Sequence, residues 1–319
     1  MMMNPVLSRE LRERMRTGRA FIVIGVFLLM LTLTAYLVYQ GSTTTGQIDT
    51  DLARQTRLGR DLYEWVLFVM LALVLFFVPG LTAGSIAGER ERQTLLPLQV
   101  TLLRPRSILV GKVLAGMSFM LLLLFASLPV MMVAYLLGGI RPLDGLKGVG
   151  IVCVIAMLLT LMITALSALT RRVQTATLLA YGFTALLVLI GPLLYFTMRV
   201  ADGSNGEDIE NPPAVLLALN PITIVADATA SENSSGTFTN ANNPLSWARQ
   251  QVSEAKSIND ESWFAWFPED NFRAQFRIVD GRREGFPAWA LGTIGLADLA
   301  ALLSFLAVRR LRTPAETER

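Results

Sequence analysis

The sequence predicts an all-α, polytopic membrane protein with six transmembrane helices, and three observations carry that prediction. Hydrophobic residues make up 53% of the 319-residue chain and gather in runs of about twenty or more. A helical run of that length, rising about 1.5 Å per residue, crosses the roughly 30 Å hydrocarbon core of a bilayer. The polar stretches between the runs are rich in arginine. The runs themselves carry prolines and small residues but hardly any charge. With no water to serve the backbone, a helix is the open-ended element that satisfies every N–H and C=O group.

Residues 1–19 hold five arginines within and after the run NPVLSRELRERMR. Asn4 or Ser8 can cap a helix whose first turn tolerates Pro5. Val6, Leu7, Leu11 and Met15 then share one side, giving an amphipathic helix at the membrane surface. A secretory signal peptide is the competing reading. The following apolar run is too long for one, and no small-residue cleavage site closes it.

Span one covers residues 20–39, and a Gly-, Ser- and Thr-rich loop covers 40–62. Span two runs over 63–84, with Pro79-Gly80 marking a kink near its far end. Residues 88–112, GERERQTLLPLQVTLLRPRSILVGK, then form the one polar interruption that is basic at both ends and leucine-rich between. Such a stretch suits a short surface helix whose apolar side docks into a partner's groove. It suits equally a basic interfacial loop that only anchors two helices. Span three follows at 113–137 with Pro129 inside, then a loop at 138–147 and span four at 148–169. Arg171 and Arg172 mark a turn before span five, 176–198, which contains Gly191-Pro192.

The segment 199–285 is polar and acidic, with 13 acidic against 7 basic residues, about −6. Within it AVLLAL (214–219) is far too short to span, so an interfacial or re-entrant helix is expected, begun by Pro212-Pro213 and ended by Pro221. Residues 233–243 read as a loop. Trp263, Phe264, Trp266 and Phe267 form an aromatic group that either anchors at headgroup level or contacts a substrate or partner. Span six is 286–308, with a polar tail at 309–319.

Six spans put both termini on one side, together with 88–112 and 171–174. Those segments hold 16 of the 28 basic residues. The positive-inside rule therefore places both termini and the 88–112 loop in the cytoplasm and the 199–285 segment outside.

There is no histidine, and Cys153 is the single cysteine. An intrachain disulfide, a histidine-based zinc site and histidine general-base catalysis are all excluded. Cys153 reads as a small packed hydrophobe. No phosphate loop occurs: Gly111-Lys112 is followed by Val113 and lacks the upstream glycine. Glu269-Asp270 reads as a solvated loop. Ser118, Ser127 and Ser167, inside spans, are expected to bond back onto their own helices. Glu64 is expected at a solvated outer edge. Asp298, near the middle of span six, is either a pathway carboxylate or a hydrogen-bonded residue beside Ser or Thr of another span. Gly292, Gly295, Ala297, Ala300 and Ala301 let span six approach another helix closely.

These features, in this order, resemble the ABC-2 type permeases, the membrane subunits of ATP-binding-cassette exporters. The carrying residues are NPVLSRELRERMR and, after span two, AGERERQTLLPLQVTLLRPRSILVGKVLAG. Glu89-Arg90-Glu91-Arg92, Thr94-Leu95 and Gly111-Lys112 match the family pattern. Gln93 stands where the pattern has glycine, the middle reads LLPLQVTLLRP, and the 199–285 segment is longer than the family's short outer helices. The resemblance implies an elbow helix carrying Arg9, Arg12 and Arg16, and a coupling helix seated on a separate ATPase through Glu89, Arg90, Glu91, Arg92, Gln93, Thr94, Leu95 and Leu96. It implies a permease without its own ATPase motif. No cofactor would be bound by this chain, with ATP and Mg held by the partner.

The expected partners are that ATPase, a second permease copy (homodimer or paralogous heterodimer) and membrane lipids, with no nucleic acid. The expected location is a bacterial or archaeal cytoplasmic membrane, with export as the direction and Asp298 as a possible pathway residue. Two other readings stay open: an ATP-independent secondary transporter, and a membrane scaffold for an extracytoplasmic partner. A membrane-embedded enzyme is disfavoured by the absence of histidine and of paired buried carboxylates.

Overall fold

A computed structural model describes residues 19–44, 51–93, 105–204, 215–230, 243–258 and 288–312. The expected elbow helix, Thr94–Leu96 with the rest of the leucine-rich loop, and the 263–267 aromatic group lie outside them. The described elements are α1 (Arg19–Thr44), α2 (Asp51–Thr82), α3 (Gly84–Glu91), α4 (Pro105–Leu136), α5 (Pro142–Leu169), α6 (Val173–Ser204), α7 (Val215–Ala218), α8 (Pro221–Ala228), α9 (Pro244–Ile258) and α10 (Ala288–Arg312). No strand occurs among the described residues.

Among the described residues, six helical stretches are long and apolar enough to cross a membrane: Phe21–Gly41, Gln55–Glu91, Ser107–Leu136, Pro142–Leu169, Val173–Met198 and Ala288–Leu311. The protein is a multi-pass membrane protein.

The chain divides into two compact units, Met1–Thr184 with Ala297–Arg319, and Ala185–Leu296. In the first, α2 packs against α1, α4 and α5. Its buried residues Val66, Leu67, Met70, Leu71, Val74 and Val78 recur at helical spacing and make one inward face. Phe27 of α1 meets Phe77 of α2 with ring centroids 6.4 Å apart. The opposite side of α1 exposes Phe21, Ile22, Leu29, Leu33 and Leu37, as a helix facing lipid tails can. Polar side chains inside the spans are served locally: Ser118 donates to Leu114 O, Ser127 to Leu124 O and Thr160 to Ala156 O, each at 2.6 Å. Back-bonding of this kind removes an unsatisfied hydroxyl from hydrocarbon.

Helix α2 begins at Asp51, well before the expected start of span two. Glu64 therefore sits about three and a half turns inside the helix. It is buried and pairs with Arg60 at 3.6 Å, not solvated as its position in the sequence implies. Helix α4 ends at Leu136, and two residues on Gly138 has a φ of 75°, in the left-handed region that closes helices and favours glycine. Near the start of α5, Tyr63 Oη donates to Asp144 O at 2.9 Å. Gly148 leaves the room this needs, because a Cβ there would overlap the Tyr63 hydroxyl.

The second unit holds the later part of α6, helices α7 to α9 and the start of α10. The re-entrant expectation for 214–219 meets a four-residue helix, α7, but Pro221 does more than end it. Pro221 opens α8 from the first-turn position, and Asn220 caps that helix by accepting from Ile222 N at 2.8 Å. Arg249, buried on α9, closes the other end of α8 by donating to Ala226 O at 3.0 Å. Asp227 accepts from Trp289 N at 2.9 Å at the start of α10. The two glycines of span six have close neighbours here: a Cβ on Gly292 would overlap Ala218 O, and one on Gly295 would lie 2.7 Å from Leu219 Cδ2. A cleft of about 480 Å³ in this unit is lined almost wholly by apolar side chains, among them Val188, Leu193, Phe196 and Trp247.

Candidate functional site

The acidic and basic residues that follow span two are organised by α3, and their roles follow from where its backbone bonds go. Helix α2 contains Pro79, which cannot donate to the carbonyl four residues back, and it stops at Thr82. One residue later α3 restarts as GSIAGERE. The first amides of a new helix have no partner within it. Two of them find one in another span, since Ile86 N and Ala87 N donate to Ser167 Oγ of α5 at 3.1 and 3.0 Å. Ser167 is buried. It is thus an N-terminal cap supplied from 80 residues away, not the back-bonded serine that its position in span four predicts. Satisfying two buried N–H groups avoids about 1–3 kcal/mol each.

The charged residues complete the attachment. Arg90 Nη1 donates to Thr170 O at 3.2 Å. Glu91 Oε2 accepts from Val173 N at 3.0 Å, where a carboxylate is favoured by the unsatisfied amides and positive end of α6. Gly84 and Gly88 lie against the Val173 side chain, so the backbone of α3 sits close to the α5–α6 corner. On the other side, Glu89 Oε1 pairs with Lys112 Nζ of α4 at 3.0 Å, and the lysine side chain is only 2% exposed. An ammonium buried that deeply needs an anion beside it. Ile86 anchors the same place by packing with Leu109, Val113, Ala165, Ala168, Ala307 and Leu311.

The expected docking residues therefore divide by what they touch. Glu89, Arg90 and Glu91 bind α3 to the rest of its own chain. Arg92 and Gln93 are exposed at the end of the helix. Gln93 has φ 59°, the left-handed conformation in which glycine is at ease and a residue with a Cβ is strained. This is the position where the resemblance expected glycine. Asp298 is exposed near the middle of α10. Among the described residues it makes no hydrogen bond to a serine or threonine of another span.

Ser167 was missed because its signal is faint. It lies among small residues, TALSALT, at the end of a span, and nothing local says that another helix begins against it. The GSIAG run, with glycines four apart, was the complementary sign of a close approach.

A search of curated protein sequences finds no match. The family model described as "ABC-2 family transporter protein" matches residues 4–309, nearly the whole chain. That family comprises membrane subunits of ABC transporters and implies an ABC ATPase as partner. With a family match of this extent, and six helices long and apolar enough to cross a membrane among the described residues, the chain belongs to the ABC-2 transporter family.

Proposed function

We propose that this chain is the substrate-conducting permease of an exporter driven by a separate ATPase, which the end of α3 and residues 92–96 engage from the cytoplasm, with Glu89, Arg90 and Glu91 holding α3 in place. The observation that carries the reading is the family match over residues 4–309. The attachment of α3 supports it, because a lever transmits force only if its base is fixed to the helices it moves. Here the base is fixed to α4 by Glu89–Lys112 and to the α5–α6 corner by Ser167, Arg90 and Glu91. ATP and Mg belong to the partner in this reading. Its closure would shift α3 and the spans behind it as a rigid body. Two permease chains face each other across the pathway, with both termini and the elbow helix (Arg9, Arg12, Arg16) on the cytoplasmic side of a bacterial or archaeal inner membrane. Asp298 faces this pathway, since a lone carboxylate towards lipid at mid-span costs about 2.5–3.5 kcal/mol.

Gentle detergent extraction through a tag on the C-terminal tail tests the assignment. A stoichiometric ATPase with hydrolytic activity in the complex is the expected result. A chain that purifies alone and moves solute in ATP-free vesicles makes it a secondary transporter instead. Single cysteines at Gln93 and Ser234, in a Cys153→Ala background, should react with an impermeant reagent from opposite sides. Same-side labelling overturns the topology.

A further inference from the structure

Resting on that reading, we propose that the ATPase-docking surface is discontinuous, joining the tip of α3 to the α5–α6 corner through Arg92, Arg171 and Arg172, and that its partner is an acidic face of the ATPase subunit. The three arginines come from segments some 80 residues apart. Two contacts bring those segments together: Arg90 reaches Thr170 O, immediately before Arg171, and Glu91 reaches Val173 N, immediately after Arg172. All three arginines are exposed.

The neighbouring carboxylates are engaged by their own chain. Glu89 pairs with buried Lys112, and Glu91, itself exposed, accepts from the first amide of α6. Three exposed guanidinium groups beside one exposed carboxylate leave the outward field positive, and the N-terminal end of α6 adds its partial positive charge. Guanidinium groups match carboxylates in a fixed fork geometry.

Both backbones are held. Arg92 N donates to Gly88 O and Gln93 N to Arg90 O, each at 3.1 Å, and Thr170 Oγ1 donates to Ser167 O at 3.0 Å. A preorganised array favours a rigid protein partner. A fluid layer of anionic headgroups needs only nearby charge. Ser167 is the positioning residue of this surface, since its hydroxyl sets where α3 starts against α5.

The test measures retention of the co-purifying ATPase by full-length permease in nanodiscs of neutral lipid, and of neutral lipid with anionic lipid. Arg172→Glu and Arg172→Gln lie on an exposed turn and are checked for monodispersity. Arg172→Glu and Arg92→Glu should each weaken ATPase affinity tenfold or more in both lipid mixtures, with Arg172→Gln intermediate. Ser167→Ala combined with Glu91→Ala leaves every arginine in place and should also weaken affinity, while Ser167→Thr, which keeps the hydroxyl, should restore it relative to Ser167→Ala.

Wild-type affinity in Arg172→Glu beside a loss in Arg92→Glu overturns the proposal by confining the contact to the loop. An effect that vanishes in neutral lipid overturns it in favour of headgroups. A wild-type chain that retains no ATPase in either mixture removes the underlying reading, and that result is read from the wild type alone.

Discussion

Asn220 Nδ2 donates to Val188 O at 2.8 Å, the carbonyl that Pro192, four residues on, cannot serve. Pro192 lies inside α6, where its missing N–H leaves the carbonyl at position 188 without a helical donor. The same Asn220 caps α8 with its oxygen. One amide thus closes two backbone gaps, one made by a proline and one by a helix start.

Asn220→Ala should lose both, at about 1 kcal/mol for the cap and about 1–3 kcal/mol for the exposed carbonyl. Asn220→Asp keeps the cap and loses the donor, so its melting temperature in detergent should fall between those of Asn220→Ala and the wild type. Equal melting of Asn220→Asp and wild type shows that the Val188 bond contributes nothing.

Gly148 should tolerate no side chain while Tyr63 keeps its hydroxyl. Gly148→Ala is expected to destabilise by about 1–3 kcal/mol through overpacking. Tyr63→Phe removes the oxygen that the new Cβ would meet, so the double variant should be more stable than the sum of the singles. Strict additivity in thermal unfolding rejects this geometry.

For Glu89 and Lys112, removing one charge should cost more than removing both. Glu89→Leu removes the anion 3.0 Å from a buried ammonium, at about 3–5 kcal/mol, whereas Glu89→Leu with Lys112→Met recovers much of the loss. Folded yield and melting in detergent measure it. A double variant no better than Glu89→Leu alone speaks against a mutually dependent pair.

Gln93→Gly should stabilise the end of α3, since only glycine adopts a φ of 59° freely. The expected gain is about 1 kcal/mol. Slower hydrogen exchange at the amides of residues 90–93 is the readout, and faster exchange contradicts the strain.

If Asp298 faces the substrate pathway, Asp298→Asn should reduce transport several-fold without changing assembly or ATPase retention. Undiminished transport in reconstituted vesicles removes the residue from the pathway.

The spans were legible because hydrophobic length is a local property. So were the helix-breaking role of Pro221 and the back-bonding of Ser118 and Ser127, which depend on residues within one turn. Asn220 and Ser167 were not, because each serves a backbone group on an element it does not neighbour in sequence. Glu64 was misjudged through the start of its helix, since a polar sequence, DLARQTRLGRDL, continues span two as a helix. The charge pattern marked residues 88–93 as a distinct polar segment after span two. It could not separate Glu89, Arg90 and Glu91, which bond to other elements of their own chain, from Arg92 and Gln93 at the exposed end of α3.

The distance in sequence between α3 and its cap also sets an order of events during synthesis. The contacts made by Ile86, Ala87, Arg90 and Glu91 reach across 80 to 82 residues. At about 5–20 residues per second, translation takes roughly 4–16 s to make that interval. Throughout it α3 has emerged but Ser167 and Val173 have not, so the segment has no template for its final position. The position of α3 is fixed only once the fourth span and the start of the fifth have been made, after more than half of the chain.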